Sequence, residues 1–197
     1  MGGDPGAEVS APGDRERLLR LLLERSFRVG DFVLSSGARS RYYVDARTTT
    51  THAEGQALLG RLGLAALRDA GLRPDAIGGL TMGADPVAYA VAHASWLAGD
   101  PVHAFTVRKE PKAHGTGKRV EGCFAAGDRV VVVEDVITTG GSALKAVAAV
   151  EAEGGTVLAV LAVVDREEGG REAIEQAGYP VHALFRVSEL HAAMAAA

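Results

Sequence analysis

The sequence predicts an α/β fold built on a largely parallel sheet, and three observations point there. Residues 130–133 and 157–164 are apolar runs with no polar interruption, the pattern of strands buried on both faces. Strand-like and helix-like periods alternate along most of the chain, which builds right-handed βαβ units. Of the 197 residues, 47% are hydrophobic but only 5% aromatic, so aliphatic side chains must fill a packed core.

The elements follow in order. Residues 1–13, rich in Gly, Pro and Ala, read as a flexible tail ahead of a single domain over 14–197. Asp14 is placed to cap a helix running to about Phe27, with Leu18, Leu19, Leu22 and Leu23 as its apolar stripe. Two strand-like runs, 32–34 and 42–44, flank Ser35-Ser36-Gly37 and read as a hairpin. A helix spans 53 to about 70, closed by Gly71. Beyond it come a strand over 75–80, a helix over 86–97 and a strand over 102–107. A strand over 130–133, a helix over 142–153 and a strand over 157–164 complete the series.

Composition excludes several classes. A formal net charge of −4 has the wrong sign for a non-specific nucleic-acid binder. No apolar run reaches the roughly 18 residues of a membrane span. The N-terminus carries Asp4 and Glu8 and lacks the basic-then-apolar order of a signal peptide. Cys123, the only cysteine, cannot form an internal disulfide and suits a reducing compartment. The expectation is a cytoplasmic protein without nucleic-acid or membrane partners.

The segment from Val130 to Ser142 carries the first chemistry. A buried strand ends in Glu134-Asp135, then Thr138-Thr139-Gly140-Gly141-Ser142 leads into a helix. Open amides and the dipole at a helix N-terminus attract phosphate. Thr138, Thr139 and Ser142 add hydroxyls, and Gly140 and Gly141 let the backbone approach the anion. Two acids beside a phosphate cradle make sense for a sugar phosphate, whose hydroxyls donate to carboxylates. An ordinary strand-to-helix turn would carry the glycines and threonines but would not need the acids. The missing Gly-Lys-Ser/Thr ending argues against triphosphate hydrolysis.

The second segment, Arg108 to Arg119, is basic, with Gly115 and Gly117 flanking Thr116. It reads either as a solvated loop or as one that closes cations over an anionic leaving group. Elsewhere, Tyr42-Tyr43-Val44-Asp45 follows the hairpin turn, and one of the two tyrosines packs the small sheet. Arg166 ends the strand from 157, at the edge where ligands of α/β sheets collect. It is placed either to bind a carboxylate bidentately or to pair with Glu167 or Glu168.

The 130–142 segment resembles the 5-phosphoribosyl 1-pyrophosphate (PRPP) binding motif of type I phosphoribosyltransferases. The basic loop resembles the catalytic loop of the orotate phosphoribosyltransferases within that group. The resemblance extends from about Phe32 to Arg166. It implies a twisted parallel sheet flanked by helices, with a small hood from about 28–47 and C-terminal pieces. It also implies transfer of the phosphoribosyl group of PRPP to orotate in pyrimidine nucleotide biosynthesis, giving orotidine 5-monophosphate and pyrophosphate. Lys112 would then be catalytic, and Arg108, Lys109 and His114 would hold pyrophosphate. Glu134 and Asp135 would hold the ribose hydroxyls, and residues 138–142 the 5-phosphate. Ser35, standing where the family usually has lysine, would contact orotate together with Tyr43, Thr138 and Arg166. Residues 79–86 resemble the pyrophosphate-binding loop, with Gly83 where some members carry lysine, and with Asp85 as a departure. Mg²⁺ would be held mainly by PRPP and water, and the chain would form a homodimer with shared active sites. Two other readings compete: a purine or uracil phosphoribosyltransferase, and a PRPP-sensing regulator.

Overall fold

The computed structural model describes residues 11, 13–33, 39–110 and 118–196, with the backbone alone of Val33 and Ser40. Helix α1 (Asp14–Leu21) continues as a π-helical turn over Leu22–Ser26 into strand β1 (Phe27–Val33). β1 pairs antiparallel with β2 (Arg39–Val44). Helical structure therefore runs to Ser26, one residue short of the expected end near Phe27, with its last turn π rather than α. Ser26 breaks it: its hydroxyl bonds those of Thr48 and Thr49 at 3.0 and 2.7 Å, and Phe27 turns extended into the core. Asp14 is not the cap either. Gly13 takes that position, while Asp14 is buried and accepts from Arg61 at 2.7 and 3.0 Å.

Short α2 (Arg47–Thr50) and long α3 (Ala53–Asp69) lead to β3 (Ala76–Leu80), α4 (Ala84–Leu97) and β4 (His103–Val107). Then come β5 (Val120–Gly122), β6 (Arg129–Ile137), α5 (Gly141–Ala152) and β7 (Thr156–Asp165). The chain ends with α6 (Gly170–Gln176), β8 (Val181–Arg186) and α7 (Val187–Ala195). The sequence reading did not anticipate α2, β5, α6, β8 or α7.

The central sheet has the order β5-β4-β3-β6-β7-β8. It is parallel except for β5, which pairs antiparallel with β4. On one face Val131 and Val133 pack with Leu58, Leu59, Leu64 and Val91 of α3 and α4. On the other, Val130 and Val132 pack with Ala143, Ala146 and Val150 of α5 and Ile174 of α6. The uninterrupted valines thus serve two layers, each buried aliphatic side chain contributing about 1.5–3 kcal/mol. Strand order reverses between β3 and β6, which opens a crevice at their carboxyl ends. At Gly79 in β3, an added Cβ would lie 2.2 Å from the carbonyl oxygen of Val133, so only glycine lets the two strands approach there.

The hairpin β1–β2 stands apart from this sheet and packs against the chain's end. His191 of α7 meets Phe27 and Tyr42 edge-on, at 4.9 and 5.0 Å between ring centroids.

Candidate functional site

A cavity of about 320 Å³ occupies the crevice where the strand order reverses. β6 contributes Glu134 and Asp135, and β2 with the turn after it contributes Tyr43, Asp45 and Arg47. Leu80, Thr81, Met82 and Gly83 close one side, and Lys109, Thr138, Ser142 and Arg166 complete the wall.

The two acids are unusually placed for carboxylates. Glu134 is buried, and its Oε1 has no hydrogen-bond partner among the described residues. Desolvation, helped by the neighbouring Asp135 charge, pushes its pKa up to about 8. Burial raises that of Asp135 as well, against a hydrogen bond from the Val136 N–H and the positive charge of Arg47. Arg47 is itself clamped to Asp45 through two contacts of 2.8 and 2.9 Å, which hold the Asp45 carboxyl below its usual range. The sequence reading missed Arg47. It follows the quoted Tyr42–Asp45 run by two positions and could have been found there.

Next to the acids, a smaller cavity of about 70 Å³ is lined by residues 136–143 and Glu134. Gly140 begins α5 with φ +78, a left-handed conformation that a Cβ would strain, and the added atom would lie 2.7 Å from the Gly170 carbonyl oxygen. No side chain caps α5. Its first amides therefore lack a side-chain acceptor, and the hydroxyl-bearing Thr138, Thr139 and Ser142 surround the same space.

At the far side Arg166 is 6% exposed. Its Nη2 donates to Glu168 Oε1 at 2.7 Å and its guanidinium lies over the Tyr42 ring, 4.9 Å from the centroid. Its Nε has no partner among the described residues. Of the paired tyrosines, Tyr42 packs in the small sheet while Tyr43 is exposed and lines the cavity.

Asp85 pins the 81–83 loop. It accepts from the hydroxyls of Thr81 at 2.6 Å and Thr106 at 2.9 Å, and so ties the loop to β4. A Cβ on Gly83 would fall 2.6 Å from Asp135 Oδ1. In this chain the positive charge acting on Asp135 comes from Arg47 rather than from a lysine at position 83.

The described ends of the basic segment adjoin β4 and β5, which pair antiparallel. The Arg108 N–H donates to the Arg119 carbonyl at 2.8 Å, and the Arg119 guanidinium reaches back to the carbonyls of Arg108 and Lys109 at 3.0 and 3.1 Å. Lys109 lines the cavity. Arg108 does not: its Nε is spent on Glu121 at 2.6 Å, across the antiparallel pair.

Thus Lys109, Glu134, Asp135, Thr138, Ser142, Tyr43 and Arg166 share one cavity, with Thr139, Gly140 and Gly141 in the adjoining one. Ser35, Lys112 and His114 lie outside the described residues. Those described include no cluster of three or more His, Cys, Asp or Glu side chains placed to hold a metal ion, and no helix long and apolar enough to cross a membrane.

No protein-family model matches the chain. It is 52% identical over 180 residues to the orotate phosphoribosyltransferase of Aquifex aeolicus, covering 90% of this chain and 97% of that protein. It is 47% identical over 185 residues to the one from Rhodopseudomonas palustris, covering 92% and 98%. Among solved structures, Mycobacterium tuberculosis orotate phosphoribosyltransferase in complex with PRPP superposes with a TM-score of 0.77 at 43% identity, covering 90% of this chain and 99% of that one. The same enzyme in complex with Fe(III) dicitrate superposes with a TM-score of 0.80 at 46% identity, over 90% and 98%.

Proposed function

The chain belongs to the orotate phosphoribosyltransferase family, and from that premise we propose how its cleft carries out the family's reaction. The enzyme transfers the phosphoribosyl group of PRPP to orotate, releasing pyrophosphate and forming orotidine 5-monophosphate for pyrimidine synthesis. One observation supports our placement of the substrates above all. A buried arginine, a buried glutamate and a half-buried aspartate line the same cavity, beside a helix start that no side chain caps.

The 5-phosphate sits at the start of α5, on the amides and hydroxyls of residues 138–142. Carboxyl oxygens of Glu134 and Asp135 accept from the ribose hydroxyls. The orotate ring lies beside Tyr43 and Thr138, its carboxylate on Arg166. Uracil and purine bases lack that carboxylate, which speaks against a salvage enzyme. As the bond from the anomeric carbon to pyrophosphate breaks, negative charge grows on the leaving group. Lys109 at the cavity wall and Lys112 of the basic segment supply cations to it. Arg108, engaged with Glu121, contributes there only if that ion pair opens; His114 and Ser35 keep the roles that the resemblance implies.

The donor set fits a hard divalent cation, since the cavity presents two carboxylates, one with a partnerless oxygen. Mg²⁺ held mainly by PRPP and water, with Glu134 and Asp135 nearby, would neutralise charge on the leaving group. The described domain works in the cytoplasm as a two-fold dimer. The α3–α4 face supports the dimer: it carries a groove of about 550 Å³, and α4 exposes Tyr89, Trp96 and Leu97. Tyr89 also bonds Thr106 at 3.1 Å, which links that face to Asp85 and the cavity loop.

A substrate panel tests the proposal. Purified protein mixed with PRPP, Mg²⁺ and orotate should change the ultraviolet absorbance of the pyrimidine, while uracil and hypoxanthine should not react. Turnover of uracil or hypoxanthine at a rate comparable to that of orotate would overturn the carboxylate-reading site.

A further inference from the structure

We propose that Tyr42 and Glu168 are positioning residues for Arg166, a frame that holds its guanidinium at the cavity wall for the substrate carboxylate. The inference rests on the reading that Arg166 binds orotate. A guanidinium has five N–H donors and a long, flexible stem, so recognition depends on which edge is held and which is left open. Here Nη2 is occupied by Glu168 at 2.7 Å, and the planar face is covered by Tyr42 at 4.9 Å. The Tyr42 hydroxyl donates to the same Glu168 oxygen at 2.9 Å and lies 3.3 Å from the Arg166 carbonyl. The three side chains therefore hold one another, around an arginine only 6% exposed whose Nε makes no hydrogen bond among the described residues.

Both supports are themselves fixed. The Tyr42 ring is held between Phe27 at 5.9 Å and His191 of α7 at 5.0 Å. Glu168 follows Glu167, whose φ of 58 is uncommon outside glycine and turns the chain back toward the cavity. That turn is locked because Asp165 Oδ1 accepts the Glu167 N–H at 2.9 Å and Glu167 Oε2 accepts the Ser188 N–H at 2.9 Å. The small sheet and the C-terminal helix thus converge on one arginine, and they act through it rather than on the substrate.

Calorimetric titration of orotate and PRPP against wild type, Tyr42→Phe, Glu168→Ala, Glu168→Gln and Arg166→Ala tests this, with unfolding midpoints checked for each variant. Glu168→Ala and Tyr42→Phe should weaken orotate roughly fivefold to twentyfold, a fraction of one charged hydrogen bond. PRPP affinity should stay within about twofold, and the loss should appear in the orotate KM with kcat nearly unchanged. Glu168→Gln, which keeps an acceptor oxygen, should recover most of the affinity. Unchanged or tighter orotate binding in Glu168→Ala would overturn the frame, as would equal losses for both ligands. If Arg166→Ala itself leaves orotate binding intact, the underlying assignment of Arg166 fails instead.

Discussion

The backbone N–H of Arg166 donates to the carbonyl of Ile137 at 3.0 Å, so the end of β7 is fastened to the last residue of β6. That bond continues the parallel ladder in which Ile137 pairs with Asp165. It sets the arginine beside Thr138, where the phosphate cradle begins, so the two ends of the cleft are registered by sheet geometry rather than by loops.

Glu134 makes the free enzyme sensitive to pH. Its folded pKa of about 8 lies above the ordinary value of 4.5. Its contribution is therefore complete below about pH 4.5 and is lost as pH rises toward 8, where folding must hold a buried anion. Glu134→Gln should flatten this decline and stabilise the ligand-free protein at pH 9 by on the order of 2–4 kcal/mol. Urea unfolding at pH 5 and pH 9 measures it. The same variant should bind PRPP more weakly.

Asp85 should matter without touching substrate. Asp85→Ala removes the acceptor shared by Thr81 and Thr106, each bond worth about 0.5–1.5 kcal/mol. The PRPP kcat/KM should fall roughly tenfold, with the orotate KM little changed. Asp85→Asn should retain most of the activity. Steady-state kinetics with each substrate varied in turn reads both effects.

The legibility of the chain divides by physics. Strands buried on both faces announce themselves as unbroken apolar runs, so residues 130–133 and 157–164 stood out. The acids within β6 and the glycines after it did too, because few structural demands place two carboxylates beside a helix start. Short β5 and the segments from α6 to α7 did not, since their period is set by packing against neighbours. The π form of the first helix's last turn was hidden because Ser26 there joins a hydroxyl cluster with Thr48 and Thr49 that forms only across the fold. Arg47 was not singled out and Asp85 was noted only as a departure for a related reason: their value lies in partners at Asp45, Thr81 and Thr106 that sequence spacing does not reveal.

Lys112→Ala should lower single-turnover rates on the order of 100-fold to 1,000-fold, the effect of removing one charge from a developing anion. If the basic segment serves the partner subunit, Lys112→Ala and Asp135→Ala homodimers are each nearly inactive, while a hybrid has one intact site. Co-refolding equal amounts should restore roughly a quarter of wild-type activity. No recovery despite confirmed hybrids would place each loop over its own site.

The most direct measurement compares orotate with its neutral 6-carboxamide analogue, by calorimetry, on wild type and on Arg166→Ala. A buried charged hydrogen-bond pair of about 1.5–3 kcal/mol predicts that wild type prefers orotate roughly 10-fold to 150-fold. In Arg166→Ala that preference should shrink to within about threefold, because the group that distinguishes the two ligands is gone. A preference for orotate that persists at wild-type size in the variant would contradict the account.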